Sequence, residues 1–379
     1  MSQPSPDDIS GKTSGASSQP PGDSDARSRL AAILITTGAL LATFAVGIAG
    51  GYAAHLLRFP LPYMTGSLLI TAALGLAGVP VRSLWQARAA GQFVTGAAVG
   101  TTFTAAILVT VLTILPLIML AAVLSMVIGA LGALILMRMV TLDPKTALLA
   151  TMPGGVIEMQ NVAAQVGADP LPITVLQTMR VGLTVCAAPF IVTWLVDDAT
   201  RHAVAERETM SLLLLLLLLA ASFAGGLALY YFRLPNCWFL GSLLVMSALG
   251  ALGLIEGRVP DIILVVAQVV IGTSIGTQYR HEFLTRLLRL LLASLVTVPF
   301  ALISLAVLAA GYAVVLGFPT ATMILSLAPA GIAEMALTGK VLGLDAALIT
   351  GFQIVRIVVV LSVAAAASRL FERLAARWS

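Results

Sequence analysis

Ten apolar stretches separated by short polar breaks dominate the chain after residue 29. They lie at 30–54, 61–79, 87–104, 106–137 and 171–195, and then at 210–231, 236–255, 262–279, 290–317 and 346–368. Most are close to the length of about 20 residues that an α-helix needs to cross the hydrocarbon core of a bilayer. The stretch 106–137 is overlong and predicts either a tilted helix or a boundary near Pro116. The pattern therefore predicts an all-α polytopic membrane protein.

Two weaker stretches, 145–169 and 319–345, are apolar but interrupted in the middle by proline and glycine. A broken helix leaves backbone N–H and C=O groups that lipid cannot satisfy, so such a segment has to lie against protein or a watery cavity. The breaks predict a re-entrant or discontinuous segment in each half of the chain. Simple helix kinks are the alternative.

These two stretches belong to an internal repeat. An offset of 176 residues aligns Pro153–Met159 with Pro329–Met335, both ending in Glu-Met. The same offset aligns further identical residues, most of them polar, namely Gly167/Gly343, Asp169/Asp345, Thr174/Thr350, Gln177/Gln353 and Arg180/Arg356. The sequence thus predicts two repeats of about five membrane helices each, at 30–195 and 211–371. A disordered tail over 1–29, a linker loop over 196–210 and a basic end over 372–379 complete the predicted organisation.

The distribution of cations predicts that the two repeats are inverted. If each repeat has five crossings and its broken segment only dips in and returns, fourteen of the 21 Lys and Arg residues lie on the side of the amino terminus and four on the other. Cytoplasmic loops carry the excess of Lys and Arg. Repeat 1 has its basic loop after the fourth helix, at Arg138 and Lys145, and repeat 2 has it after the third, at Arg280–Arg289. We therefore expect a multi-pass protein of the bacterial inner (plasma) membrane with both termini in the cytoplasm.

Composition excludes a soluble enzyme. The chain is 59% apolar and only 10% charged, whereas about 25% of residues are charged in soluble domains. Two Cys and three His are scattered without ligand spacing, so no metal site, cofactor or catalytic residue is predicted. The net charge of +4 is accounted for by cytoplasmic loops rather than by direct binding of nucleic acid.

A few charges fall inside or beside membrane segments, where they are costly and usually mark a substrate or ion path. Glu158 and Glu334 follow the two breaks, and we expect them to pair with Arg180 and Arg356, either for function or as structural ion pairs. Asp169 and Asp345 lie at segment ends and are expected to cap helices. The candidate substrate- and ion-binding residues are Glu158, Glu334, Arg180, Arg356, Gln177, Gln353, Gly154, Gly155 and Gly331.

Small residues recur at Gly91, Thr95, Gly96 and Gly100. Such runs let helix backbones approach closely, and we expect close helix packing here rather than the lining of a pore. Small-residue faces of this kind also permit a homodimer.

The paired Pro-Gly-Gly-Val-Ile-Glu-Met and Pro-Ala-Gly-Ile-Ala-Glu-Met segments are each followed by Gly-x-Asp and Gln-x-x-Arg. In a duplicated apolar chain, over about residues 30–370, this pattern closely resembles the AbrB-type integral membrane protein family. The resemblance implies a place among the cation/proton antiporter-like and anion transporters built from inverted repeats. Members carry the labels transcriptional regulator and ammonia monooxygenase.

The two labels have different physical requirements. A monooxygenase needs a redox metal or flavin, and no ligand cluster or dinucleotide motif is present in the sequence. The leading hypothesis is a secondary transporter of a small solute, with an anion as one candidate, coupled to an ion or proton through Glu158 and Glu334. In this hypothesis, Arg180 and Arg356 bind the anion or keep the carboxylates of the two glutamates charged. The alternative is a membrane-embedded sensor that acts indirectly on gene expression.

Overall fold

The computed structural model describes residues 23–195, 209–255 and 257–376, with side chains described from residue 36 onward. Within these residues the chain is helical and forms no β-strand. The first half forms α1 (Asp23–Leu56), α2 (Pro62–Leu76), α3 (Trp85–Gly100), α4 (Ala105–Thr113), α5 (Leu115–Met139), α6 (Pro144–Thr151), α7 (Val156–Val166) and α8 (Pro170–Thr193). The second half forms α9 (Leu212–Tyr231), α10 (Cys237–Ala251), α11 (Asp261–Gly276), α12 (His281–Thr285), α13 (Leu288–Leu316), α14 (Thr320–Leu327), α15 (Ile332–Val341) and α16 (Ala346–Ala375).

Six of the described helices are long and apolar enough to cross a membrane, or seven if α3 and α4 count as one broken span. These six are α1, α5, α8, α9, α13 and α16, while α2, α10 and α11 are shorter and apolar. The prediction of an all-α polytopic membrane protein is therefore confirmed. The predicted tail and linker fall mostly on residues 1–22 and 196–208, which lie outside the described part of the chain.

The overlong predicted span 106–137 is two helices. α4 ends at Thr113 and α5 begins at Leu115, with Pro116 in the first turn of α5. Proline fits there because the first N–H groups of a helix have no intrahelical partner. α4 is bent by 97° from α3, so the chain turns sharply before α5 begins.

Glycines bring the helices of each half into close contact. A Cβ on Gly66 of α2 would collide with the carbonyl oxygen of Gly50 on α1, and a Cβ on Gly241 of α10 would collide with the backbone of Gly226 on α9. Glycines also allow close contact between helices of the two halves. Gly96 of α3 packs against the backbone of α10, and Gly272 of α11 packs against the backbone of α2. The predicted role of the small residues in close helix packing is confirmed.

Two large cavities lie at opposite ends of α3 and α11. Cavity A, about 1060 Å³, is lined by Thr101 at the end of α3 and by Asp261 at the start of α11. Cavity B, about 750 Å³, is lined by Trp85 at the start of α3 and by Thr277 at the end of α11. α3 and α11 therefore run in opposite directions between the cavities.

The long helices α8 and α16 also start at opposite ends. Leu171 near the start of α8 lines cavity B, and Thr193 at its end lines cavity A. Asp345 and Ala346, where α16 begins, line cavity A instead. α8 and α16, like α3 and α11, therefore run in opposite directions between the cavities.

Each broken segment folds back on itself as a helical hairpin. In hairpin 1 (144–166), the backbone N–H of Asp169 donates to Thr146 Oγ1 at 2.8 Å, so the chain returns to the level at which α6 began. In hairpin 2 (320–341), α15 ends at Val341 beside cavity A. The preceding α13 leaves cavity B at Leu287 and spans 29 residues, about 44 Å, which carries the start of α14 to the end where cavity A lies.

Candidate functional site

The break of hairpin 1 is held by two side chains of α8. Gln177 Nε2 donates to the carbonyl oxygens of Leu149 at 2.8 Å and Met152 at 2.9 Å. The guanidinium of Arg180 donates to Met152 O at 2.5 Å and to Gly154 O at 2.6 Å. Gln177 and Arg180 are spaced i, i+3, so both reach the break from one face of α8.

The break of hairpin 2 repeats this arrangement on α16. Gln353 Nε2 donates to Leu325 O at 2.9 Å and to Ala328 O at 3.1 Å. Arg356 donates to Ala328 O at 2.8 Å and to Ala330 O at 3.1 Å. Donors and acceptors in the two hairpins are related by the same offset of 176 residues.

The expected pairing of the arginines with Glu158 and Glu334 is wrong. Both guanidinium groups are buried, at 4% exposure for Arg180 and 3% for Arg356, and both point at backbone carbonyls. The last carbonyls of a helix have no intrahelical donor and carry partial negative charge, so a cation at that end is favourable. Arg180 and Arg356 therefore stabilise the carbonyl ends of α6 and α14 instead of the carboxylates.

The two glutamates lie at the opposite side of each break. Glu158 and Glu334 are in the first turns of α7 and α15, where negative charge is favourable. Their carboxylates fold over the N-cap glycines, Gly155 and Gly331, so that a Cβ at either glycine would collide with Oε2. These glycines have φ of −75° and −73°, so they are needed here for space and not for backbone conformation.

Glu334 has a partner that the sequence interpretation missed. Arg88 Nη2 of α3 lies 3.2 Å from Glu334 Oε1, and the two side chains are 34% and 1% exposed. Arg88 is one of the fourteen cations that the sequence places on the side of the amino terminus, although it falls inside the apolar stretch 87–104. Its place as a cation within a predicted span is the signal that could have marked it.

Glu158 has no equivalent ion pair among the described residues. The position that corresponds to Arg88 under the offset is Leu264 of α11, which lines cavity A. Glu158 is half-buried, whereas Glu334 is fully buried. The two hairpins are therefore alike at their carbonyl ends and different at their carboxylates.

The aspartates at the ends of the hairpins cap helices, as expected. Asp169 Oδ1 accepts from the backbone N–H of Leu171 at 2.9 Å, at the start of α8. Asp345 Oδ1 accepts from the backbone N–H of Leu348 at 2.9 Å, at the start of α16. Lys340, near the end of α15, donates to Thr101 Oγ1 at 3.3 Å.

Both cavities carry charged side chains. Cavity B is lined by Arg82, Arg88, Arg280 and Glu282, and cavity A by Arg58, Arg258, Lys340, Asp261 and Asp345. Arg88 therefore connects cavity B to the buried carboxylate of Glu334. Among residues 23–195, 209–255 and 257–376, no group of three or more His, Cys, Asp or Glu is placed to hold a metal ion.

The chain matches one protein family and is similar to two known proteins. The family described as Transition state regulatory protein AbrB matches residues 75–372. A Bacillus subtilis (strain 168) protein named "Uncharacterized protein YhjN" is 26% identical over 66% of this chain and 70% of its own length. An Escherichia coli (strain K12) protein named "Putative regulator AbrB" is 26% identical over 76% of this chain and 84% of its own length. No solved structure matches the chain. Because the family match covers well over half of the sequence, this protein belongs to the AbrB family.

Proposed function

We propose that this AbrB-family protein is a secondary transporter of a small solute. In this proposal it lies in the bacterial inner membrane as two inverted repeats with both termini in the cytoplasm. The observation that carries the proposal is the pair of Pro/Gly-broken hairpins, each with a carboxylate beyond its break and each associated with a different end of the bundle.

The physical support comes from the cost of such hairpins. Irregular backbone and buried charges at membrane depth are expensive and persist where they line a pathway or a binding site. Broken helices in both halves of a duplicated chain are the usual location of substrate and ion sites in secondary transporters. Cavities A and B open at opposite ends of α3 and α11, which suits access from alternate sides.

The candidate residues divide into two roles in this proposal. Arg180, Arg356, Gln177 and Gln353 are positioning residues, because the Nη atoms of both arginines and the Nε2 atoms of both glutamines donate to backbone carbonyls. The carboxylates of Glu158 and Glu334 are the groups that take up and release a proton or ion. Gly154, Gly155 and Gly331 lie at the breaks, where Gly155 and Gly331 leave room for the glutamate side chains and Gly154 leaves room for Met159.

A second candidate function is a membrane-embedded sensor that binds a solute without moving it. The family description and the printed name of the Escherichia coli relative favour it, since both refer to regulation. The same cavities would then bind the signal, and any effect on gene expression would be indirect.

Uptake into proteoliposomes separates the two candidates. We would measure radiolabelled acetate, succinate, glutamate and methylammonium with and without an imposed proton gradient. Wild type should accumulate at least one of these only when the gradient is present, and the Glu158→Gln/Glu334→Gln variant should not. Glu372→Gln is the matched control, since its carboxylate pairs with Lys145 away from both breaks. Binding of a solute without uptake under either condition would favour the sensor.

A further inference from the structure

We propose that Arg88 binds a carboxylate group of the solute and that this carboxylate takes the place of Glu334 on the guanidinium. The solute class is then a small organic carboxylate that enters from cavity B. For its place in a transport cycle this inference rests on the proposed function, but the binding step can be tested without transport.

Arg88 has donors to spare. Arginine carries five N–H donors in a planar fork, and among the described residues Arg88 donates only to Glu334. The Arg88 side chain is one-third exposed and lies on the wall of cavity B. A second anion can therefore approach the guanidinium from the cavity while Glu334 still holds its buried side.

The charge around cavity B suits an anion. Arg82 and Arg280 line it together with Arg88, and Glu282 is the acidic residue in its lining. Like-signed charges in a cleft raise the local concentration of the oppositely charged ligand. A cavity of about 750 Å³ has room for a small mono- or dicarboxylate.

The protein itself shows which anion Arg88 accepts. Glu334 presents a carboxylate to the guanidinium at 3.2 Å. Arginine and carboxylate match in geometry, since the planar fork can hold both oxygens. A solute carboxylate thus replaces the side-chain carboxylate with the same chemical group.

Replacement changes the charge of Glu334. A carboxylate that is 1% exposed and loses Arg88, its ion partner among the described residues, is too costly to keep charged, so it takes a proton. The step is a balanced exchange: the Arg88–Glu334 pair, a solute carboxylate and one proton give an Arg88–solute pair and a neutral Glu334. One proton is therefore bound with each solute carboxylate.

The other charges near Glu334 do not replace Arg88. The helices packed on α15 carry Arg180 and Arg356, and both Nη atoms of each guanidinium donate to carbonyls at the breaks. Lys340 of α15 itself lies six residues beyond Glu334 and donates to Thr101. The remaining charged residues of α16, Arg369, Glu372 and Arg373, lie more than three turns beyond Arg356.

The exchange is expected at one cavity and not at the other. Leu264 occupies the position in cavity A that Arg88 occupies in cavity B. Leucine has no donor for a carboxylate. Leu264→Arg is therefore a variant that should add carboxylate affinity on the side of cavity A.

Isothermal titration calorimetry of the purified protein tests the proposal directly. Succinate and acetate are the probes, and each titration is repeated in buffers of different ionisation enthalpy to count the protons taken up. We expect the wild type to bind at least one of the two with uptake of about one proton. Glu334→Gln should bind without proton uptake, and Arg88→Gln should weaken binding at least about tenfold, as expected for loss of a charged hydrogen bond.

Two further variants keep the result interpretable. Arg88→Gln/Glu334→Gln removes both charges, so it leaves no buried carboxylate unpaired, and it should fold without binding succinate. Arg82→Gln, an exposed cation of cavity B, should weaken binding slightly and keep the proton uptake.

Specific outcomes overturn the inference. The wild type could bind neither probe, or it could bind a probe without proton uptake. Unchanged binding in either variant that lacks Arg88 would also overturn the inference. Uptake of another solute by a wild type that binds no carboxylate would overturn the inference and leave the proposed transport function standing. Proton-linked carboxylate binding without transport would support the inference and contradict the proposed transport function.

Discussion

The guanidinium of Arg180 lies 2.6 Å from the carbonyl oxygen of Gly154, across the break in hairpin 1. Arg356 and Ala330 repeat the contact in hairpin 2 at 3.1 Å. The buried arginines therefore complete the hairpins, and the carboxylates of Glu158 and Glu334 are left for other partners.

Loss of either arginine should destabilise the protein. Arg180→Met and Arg356→Met each leave carbonyls at a break without a charged donor, at a cost of about 1–3 kcal/mol for each carbonyl. We expect the unfolding temperature in detergent to fall by several degrees for each variant. Arg82→Met removes an exposed cation and is the control. Equal unfolding temperatures for all three variants would contradict the role of the arginines.

The glycine before each glutamate should matter for the carboxylate more than for stability. In Gly331→Ala the new Cβ displaces Glu334 Oε2, which is the mobile end of a flexible side chain. We expect the unfolding temperature to change little and proton-coupled uptake to fall at least about tenfold, because the Arg88–Glu334 pair is disturbed. The neighbouring Ala330→Gly introduces no new atom and should retain uptake. A Gly331→Ala variant as active as wild type would refute this prediction.

Close packing between the halves should depend on the glycines of α3 and α11. Gly96→Ala places a Cβ against the carbonyl of Phe239, and Gly272→Ala places one against the carbonyl of Met64. Backbone cannot yield as a side chain can, so both variants should lower the unfolding temperature. Gly311→Ala in α13 meets no atom within 4 Å and should be neutral or slightly stabilising, because alanine favours helix. We would compare the three variants by size-exclusion chromatography and thermal unfolding. Equal elution profiles and equal unfolding temperatures would argue against this packing.

The inverted arrangement predicts that the two cavities face opposite sides of the membrane. The accessibility of each cavity can be measured with single cysteines, placed at Thr102 in cavity A and at Gln278 in cavity B. The native cysteines are first removed by Cys186→Ser and Cys237→Ser. A membrane-impermeant maleimide applied to intact cells should label Thr102→Cys and leave Gln278→Cys unlabelled until the membrane is opened. Labelling of both cysteines from outside would exclude the inverted arrangement.

Much of the fold could be predicted from the apolar pattern. The broken stretches became hairpins because proline and glycine ended α6 and α14 where expected, and Asp169 and Asp345 cap helices as their positions indicated. Local sequence determines such features. The helix boundary within the overlong stretch 106–137 was harder to predict, because the apolar run continues through the junction of α4 and α5.

The partners of the buried charges could not be predicted in the same way. Opposite charges suggested Arg180 with Glu158, but the end of α6 offers carbonyls closer to the guanidinium. Arg88 and Glu334 are 246 positions apart, and only the packing of α3 against α15 brings them together. Such contacts depend on tertiary structure and leave no spacing in the sequence.

The central claim is that Glu334 couples a solute carboxylate to a proton. Measuring proton movement driven by the solute tests this claim most directly. Proteoliposomes with a pH-sensitive dye inside receive external succinate at equal internal and external pH, with protein-free liposomes as the blank. Wild type should acidify the interior, and Glu334→Gln should admit radiolabelled succinate without acidification. Succinate uptake by wild type with no change of internal pH would contradict the claim.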